Sequence, residues 1–269
     1  MSDRIKVDIK DGVADVRLVR TDKMNALDDA MFQALVETPA QLEADKSVRC
    51  VVLSGEGRAF CAGLDMGNFG RMASGQGSSN SSATGGLAAR SHGIANRAQQ
   101  AVWGWRQLRV PVIAAVHGVA LGGGFQVMLG ADIRIVHPDT KMSILEIKWG
   151  LVPDMSSTAI MYQYARDDVI RELTYTGRMF NGTEAQSMGF ATHVSDTPLE
   201  DALALAREIA GKNPDAIQAA KRMYNALPDA TQAEALMAES VEQTRLIGSP
   251  NQVEAVMAAM QKREPVFKD

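Results

Sequence analysis

The chain opens on alternation. Ile5, Val7 and Ile9 are separated by polar residues, Asp11-Gly12 follows, and Val13, Val16 and Leu18 resume the apolar pattern. Apolar runs on either side of an Asp-Gly dipeptide predict a β-hairpin, because those two residues accept the left-handed backbone of a tight turn. From residue 27 to about 44 the pattern changes to helical spacing, through Leu27, Met31, Leu35 and Leu42. Pro39 is expected to kink or break that helix, since it lacks an N–H and its ring crowds the preceding turn. Residues 49–54 (RCVVLS) are too uniformly apolar for a half-exposed strand and predict a buried one.

Residues 67–86 form the one low-complexity stretch, dominated by Gly, Ser, Asn and Ala, and predict a loop of the kind that serves as a lid or stays disordered. Beyond it the pattern predicts a helix over 87–108, a buried strand over 111–116, a short helix over 123–129 and another buried strand over 133–136. Strands and helices alternate to about residue 195, which indicates an α/β fold. Residues 199–262 are helical throughout, interrupted at Asn213-Pro214, Leu227-Pro228 and Ser249-Pro250. The expected division is therefore a core over 1–197 and a helical region over 198–269 that caps the core, packs on another subunit, or both.

Bulk properties narrow the classes. A length of 269 residues suits a single substantial core. The net charge of -4 gives no basic footprint for nucleic acid. No signal-peptide pattern opens the chain and no apolar run is long enough to span a membrane, so the expectation is a cytoplasmic protein with neither a membrane nor a nucleic-acid partner. Cys50 and Cys61 form no disulfide framework, and no His, Cys, Asp and Glu cluster has metal-ligand spacing, so no metal is expected.

Two glycine-containing turns carry the candidate chemistry. Residues 56–65 (EGRAFCAGLD) follow one buried strand, and residues 116–126 (VHGVALGGGFQ) follow another and open a short helix. Glycine lets backbone amides approach a ligand, and a helix N-terminus carries free N–H groups, so one amide from each turn can meet at a single oxygen. The alternative is that both are ordinary strand-to-helix turns with glycine chosen for close packing. Neither turn fits a dinucleotide or phosphate-loop fingerprint, and the chain lacks the G-x-S-x-G elbow of a serine hydrolase.

The segments RTDKMNAL (20–27), GRAFCAGLD (57–65), PVIAAVHGVALGGGFQ (111–126), ADIRIV (131–136) and EIKWGLVPD (146–154) resemble, in words, order and spacing, the enoyl-CoA hydratase/isomerase superfamily, the crotonases. The resemblance implies a spiral of repeated ββα turns, a C-terminal helical trimerisation region, and homotrimers or dimers of trimers. It implies an acyl-CoA substrate, with no cofactor beyond the coenzyme A that the substrate carries. It places an oxyanion hole on the main-chain N–H groups of Leu64 and Gly123, and the coenzyme A against Lys23, Met24, Asn25, Ala62 and Asp65. Lys23 is either a phosphate partner or a solvated surface charge. Lys262 and Phe267 resemble residues that reach a neighbouring subunit's coenzyme A.

Hydratases of the family use two glutamates. Here the first falls on Gln126 and the second on Glu146. Hydration needs one group to deprotonate water and another to deliver a proton, whereas one carboxylate can move a double bond by lifting a proton from one carbon and returning it to another. The expectation is an enzyme, with isomerase chemistry favoured over hydration. Gln126 reads alternatively as a helix residue bonded to backbone, and Glu146 as a solvated residue at a strand edge. Asp154 matches an aspartate of dienoyl-CoA isomerases and the place of a nucleophilic carboxylate in dehalogenases of the fold. It reads equally as a cap for a helix starting near Met155. His92 reads as solvated or as pocket lining, and Trp103 and Trp105 as core or pocket wall. A non-catalytic acyl-CoA-binding protein is the alternative from another class.

Overall fold

A computed structural model describes residues 3–68 and 86–268. The predicted hairpin is β1 (Ile5–Lys10) and β2 (Val13–Leu18), antiparallel, with Asp11 and Gly12 at φ values of 51° and 80°. β2 then pairs in parallel with β3 (Cys50–Gly55), β3 with β4 (Val112–Val116), and β4 with β6 (Ile133–Val136), which pairs with the two-residue β8 (His193–Val194). Every residue of β3 is buried because both faces of the sheet are covered. Val51 and Leu53 point into the larger core, and Cys50 and Val52 into a smaller one.

A second layer of short pairings runs beside this sheet. Cys61 bridges Ala120, β5 (Val119–Leu121) pairs in parallel with β7 (Lys141–Ser143), and Met142 bridges Phe180. Each long strand is thus followed by a short one before the chain leaves for a helix, which is the ββα spiral that the resemblance implies. Helix α1 (Asp29–Ala44), α2 (Arg97–Gln107) and α3 (Gly123–Leu129) pack against the larger core.

Two helix expectations are corrected. α1 runs unbroken through Pro39. The lost hydrogen bond is outweighed because Met31, Phe32, Leu35, Pro39 and Leu42 are all buried, and Pro39 fits against Gly104 of α2. The helix expected over 87–108 spans only Arg97–Gln107. Asn96 accepts from the Gln99 N–H, and the Gln99 side chain accepts from the Asn96 N–H, each at 2.9 Å; this capping box fixes the start. The residues before it hold a short turn and a bridge between His92 and Ala95. Most of the low-complexity stretch, residues 69–85, lies outside the described residues.

Four further short elements, α4 (Ser157–Met161), α5 (Asp167–Thr176), α6 (Gly182–Met188) and β8, close the spiral. Then α7 (Pro198–Ala210) lays Ala202, Ala206 and Ala210 on the sheet's second face. α8 (Pro214–Ala226) is tied to the sheet by the buried Lys221, whose Nζ donates to Asp132 Oδ2 and the Val110 carbonyl, both at 2.8 Å. The last helices, α9 (Gln232–Leu246) and α10 (Pro250–Gln261), leave Leu236, Met237, Val253, Val256, Met257 and Met260 exposed. No helix among the described residues is long and apolar enough to cross a membrane.

Candidate active site

The two glycine turns meet at a cavity of about 1090 Å³. Leu27 lies parallel to residues 63–65: its N–H donates to the Gly63 carbonyl at 2.8 Å, and its carbonyl accepts from the Asp65 N–H at 3.1 Å. Successive N–H groups of an extended segment point to opposite sides, so the Leu64 N–H faces away from Leu27. Gly123 opens α3, whose first ladder bond runs from the Gln126 N–H to the Gly122 carbonyl, leaving the Gly123 N–H outside the helix ladder. Among the described residues neither amide donates a hydrogen bond, and both residues line the cavity. A Cβ built on Gly63 would lie 3.6 Å from the Gly123 nitrogen, so the turns are in contact. Close packing also operates in these turns: a Cβ on Gly118 would lie 2.0 Å from the Arg58 carbonyl oxygen, one on Gly63 2.4 Å from that of Leu121, and one on Gly124 2.2 Å from that of Cys61.

Glu146 does not sit at a strand edge. It opens a single 3-10 turn, Glu146–Trp149, that Gly150 ends with a φ of 69°. A Cβ on Gly122 would lie 3.3 Å from Glu146 Oε1, which places the carboxylate beside the free Gly123 amide. Gln126, 1% exposed, donates from Nε2 to that Oε1 at 2.7 Å, while its own Oε1 accepts from the Met155 N–H and the Ser157 hydroxyl. Glu146 Oε2 is buried with no hydrogen-bond partner among the described residues. Burial pushes the Glu146 pKa up; its own main-chain N–H and the Gln126 amide oppose the shift, and the nearby Asp154 charge adds to it.

Asp154 also lines the cavity, and burial raises its pKa. The residue keeps solvent contact while lining the cavity. The capping alternative is overturned: the neighbouring helix begins at Ser157 after a left-handed Ser156, with no side-chain cap.

Lys23, Met24, Ala62 and Asp65 line the cavity. Lys23 makes no ion pair among the described residues. Asp65 is already engaged, accepting from Arg20 at 2.6 Å and from the Gly67 N–H at 2.7 Å. Asn25 is fully buried, with Nδ2 donating to the Glu56 and Ala59 carbonyls, so it ties its own segment to the turn at 56–65; it is not among the residues that line the cavity. Lys262 ends α10 in a left-handed conformation and the Phe267 carbonyl accepts from Arg49; neither lines the cavity of its own chain. His92 bonds to Ser91, Trp105 is core and Trp103 packs against it. Both cysteines are buried thiols pushed to about 12 by burial. No group of three or more His, Cys, Asp or Glu among the described residues is placed to hold a metal.

Sequence reasoning missed Arg20, which clamps Asp65 and the Ala26 carbonyl and so holds the segment carrying Leu64. It also missed Ser157 and the apolar walls formed by Phe32, Ala98, Trp149 and Val152. Arg20 meets Asp65 across 45 positions, a pairing that no local spacing encodes.

The buried Glu146 has a measurable signature. An acid whose folded pKa lies above its unfolded value adds stability below the unfolded value, and that contribution is lost as pH rises through the folded one. Glu146→Gln is therefore expected to raise the unfolding midpoint by a few degrees (about 2–4 °C per kcal/mol) at pH 8. Thermal melts should show the gain fading in acid.

The Enoyl-CoA hydratase/isomerase family profile matches residues 8–269. A mitochondrial Delta(3,5)-Delta(2,4)-dienoyl-CoA isomerase of Dictyostelium discoideum is 28% identical over 259 residues, covering 95% of this chain and 87% of the relative. A mitochondrial methylglutaconyl-CoA hydratase of Mus musculus is 28% identical over 264 residues, covering 96% and 80%. The crystal structure of an enoyl-CoA hydratase from Bacillus anthracis superposes with a TM-score of 0.86 at 25% identity, covering 98% of this chain and 99% of that one.

Proposed function

The chain belongs to the enoyl-CoA hydratase/isomerase family, and from that premise we propose that it shifts a carbon–carbon double bond in an acyl-CoA thioester through an enolate held by two main-chain amides. The thioester oxygen lies against the N–H groups of Leu64 and Gly123. Glu146 removes a proton from C2 of a 3-enoyl-CoA, the electron pair moves into the carbonyl, and the amides meet the charge that develops there. The enolate collapses, the double bond forms between C2 and C3, and the same carboxylate returns the proton to C4.

The observation that carries this reading over hydration is the state of Gln126. Its carbonyl oxygen is committed to Met155 and Ser157, and one N–H to Glu146. It neither takes a proton from water nor has an acceptor oxygen free to orient one, so Glu146 has no proton-handling partner at position 126, where hydration needs a second group. Incubation with a 3-enoyl-CoA is expected to give the 2-enoyl product at least about 100-fold faster than a 2-enoyl-CoA is hydrated, a gap of the size a missing general base opens. Faster hydration contradicts the proposal.

A second reading rests on Asp154. It faces the cavity, is free of a capping role and raises the pKa of Glu146. Two carboxylates beside one chain suit a conjugated diene, where the proton leaves and returns at carbons further apart. On this reading a 3,5-dienoyl-CoA is the better substrate, and Asp154→Asn removes its turnover while sparing that of a 3-enoyl-CoA. We further propose that the exposed apolar residues of α9 and α10 are covered by other copies of the chain in a trimer or a dimer of trimers.

A further inference from the structure

The atoms around Gln126 say more than that it replaces a carboxylate. A main-chain N–H can only donate, so the end of the carboxamide that faces the Met155 N–H at 2.8 Å is the oxygen. The amino end therefore faces Glu146, and the amide's orientation follows from bonding rather than from assignment. Ser157, itself 1% exposed, donates its hydroxyl to the same oxygen at 2.7 Å. The result is a linear relay of side chains, Ser157 to Gln126 to Glu146, drawn from the start of α4, the first turn of α3 and the 3-10 turn after β7. At its far end the carboxylate is split into unlike oxygens: Oε1 accepts from Gln126 at 2.7 Å, and Oε2 is buried and unpartnered among the described residues.

We propose that Ser157 is a positioning residue for the reaction: by pinning the Gln126 carboxamide it fixes the rotation of the Glu146 carboxylate, and with it how the carboxylate is presented to the cavity. The proposal rests on the reading of Glu146 as the base. Ser157 does not line the cavity, so it has no route to the substrate except through Gln126. Two donors on one amide oxygen polarise the group and strengthen the bond that its amino end makes. Removing the hydroxyl leaves the Met155 N–H as the one donor to the amide oxygen, and the Gln126 side chain gains torsional freedom that passes directly to the carboxylate.

The test is a double-mutant cycle on kcat and KM. Ser157→Ala is expected to lower kcat about fivefold with KM unchanged within about twofold, the scale of one neutral hydrogen bond. In a Gln126→Leu background the same substitution is expected to change kcat by less than about twofold, because the relay is already cut. Ser157→Cys, with a weaker donor of similar size, is expected to fall between wild type and alanine. Binding of a saturated acyl-CoA reports that each variant is folded. Equal losses from Ser157→Ala in both backgrounds, an unchanged kcat, or an effect confined to KM each overturn the proposal. Failure of the parent reading looks different: turnover then survives Glu146→Gln, which removes the base and the proposal together.

Discussion

Glu146→Gln is expected to cut turnover of a 3-enoyl-CoA by about 10³-fold, in the middle of the range for removing a positioned base, while affinity for a saturated acyl-CoA changes by less than about threefold. The asymmetry follows from the local geometry. A glutamine at 146 has nearly the same volume and still offers an oxygen to the Gln126 amino group, so the cavity keeps its shape. It loses only the ability to carry a proton. Steady-state kinetics on 3-enoyl-CoA, beside calorimetric titration with the saturated ester, reads both quantities on one preparation. Equal loss of binding and turnover points to a collapsed pocket, and retained turnover removes Glu146 from the chemistry.

The second large effect is expected at a residue with no side chain. Gly63 has a φ of 87°, and a Cβ there would sit 2.4 Å from the Leu121 carbonyl oxygen. Gly63→Ala thus brings left-handed strain of about 1–2 kcal/mol together with a clash against backbone, which has no rotamer to turn away. The segment carrying Leu64 must retreat from the one carrying Gly123, and the two amides no longer aim at one oxygen. The expected result is a fall in kcat of about 10² to 10³-fold, the cost of one lost oxyanion donor, with a smaller rise in KM. Circular dichroism and a melt identify any loss due to unfolding. Near-normal kcat in a folded Gly63→Ala protein contradicts the assignment of the Leu64 amide.

Both effects concern parts of the site that were legible in the chain. The strands at β1 to β4 and β6 declare themselves by apolar run or alternation, and the GGG that opens α3 marks a helix N-terminus that needs close approach. The order of segments carried the positions of Leu64, Gly123, Gln126 and Glu146. Illegible were the features that depend on distant partners. Nothing near Pro39 reports that Gly104 will receive its ring. Asp154 follows a proline just before a helix, a setting that suggests a cap; only the left-handed turn at Ser156 shows that the helix starts too late for it. Asn25 carries turn-forming character in sequence and becomes a buried clamp only because the turn at 56–59 folds onto it. Ser157 stood unremarked because its meaning lies in the oxygen of a glutamine 31 positions earlier.

The capacity of the site rests on charge that appears during the reaction and vanishes afterwards. The cavity walls are largely apolar, and such surroundings strengthen each hydrogen bond aimed at a developing oxyanion while making an ionised Glu146 costly. The same desolvation that raises the pKa of Glu146 makes it a stronger base once ionised. The Gln126 amide opposes that shift by donating to one oxygen of the carboxylate.

A crystal structure with a saturated acyl-CoA bound tests the central claim most directly. The account predicts the thioester oxygen about 3 Å from both the Leu64 and Gly123 nitrogens, the distance expected of oxyanion donors, with C2 facing the Glu146 carboxylate. A thioester whose oxygen meets neither amide, or whose C2 points away from that carboxylate, contradicts it.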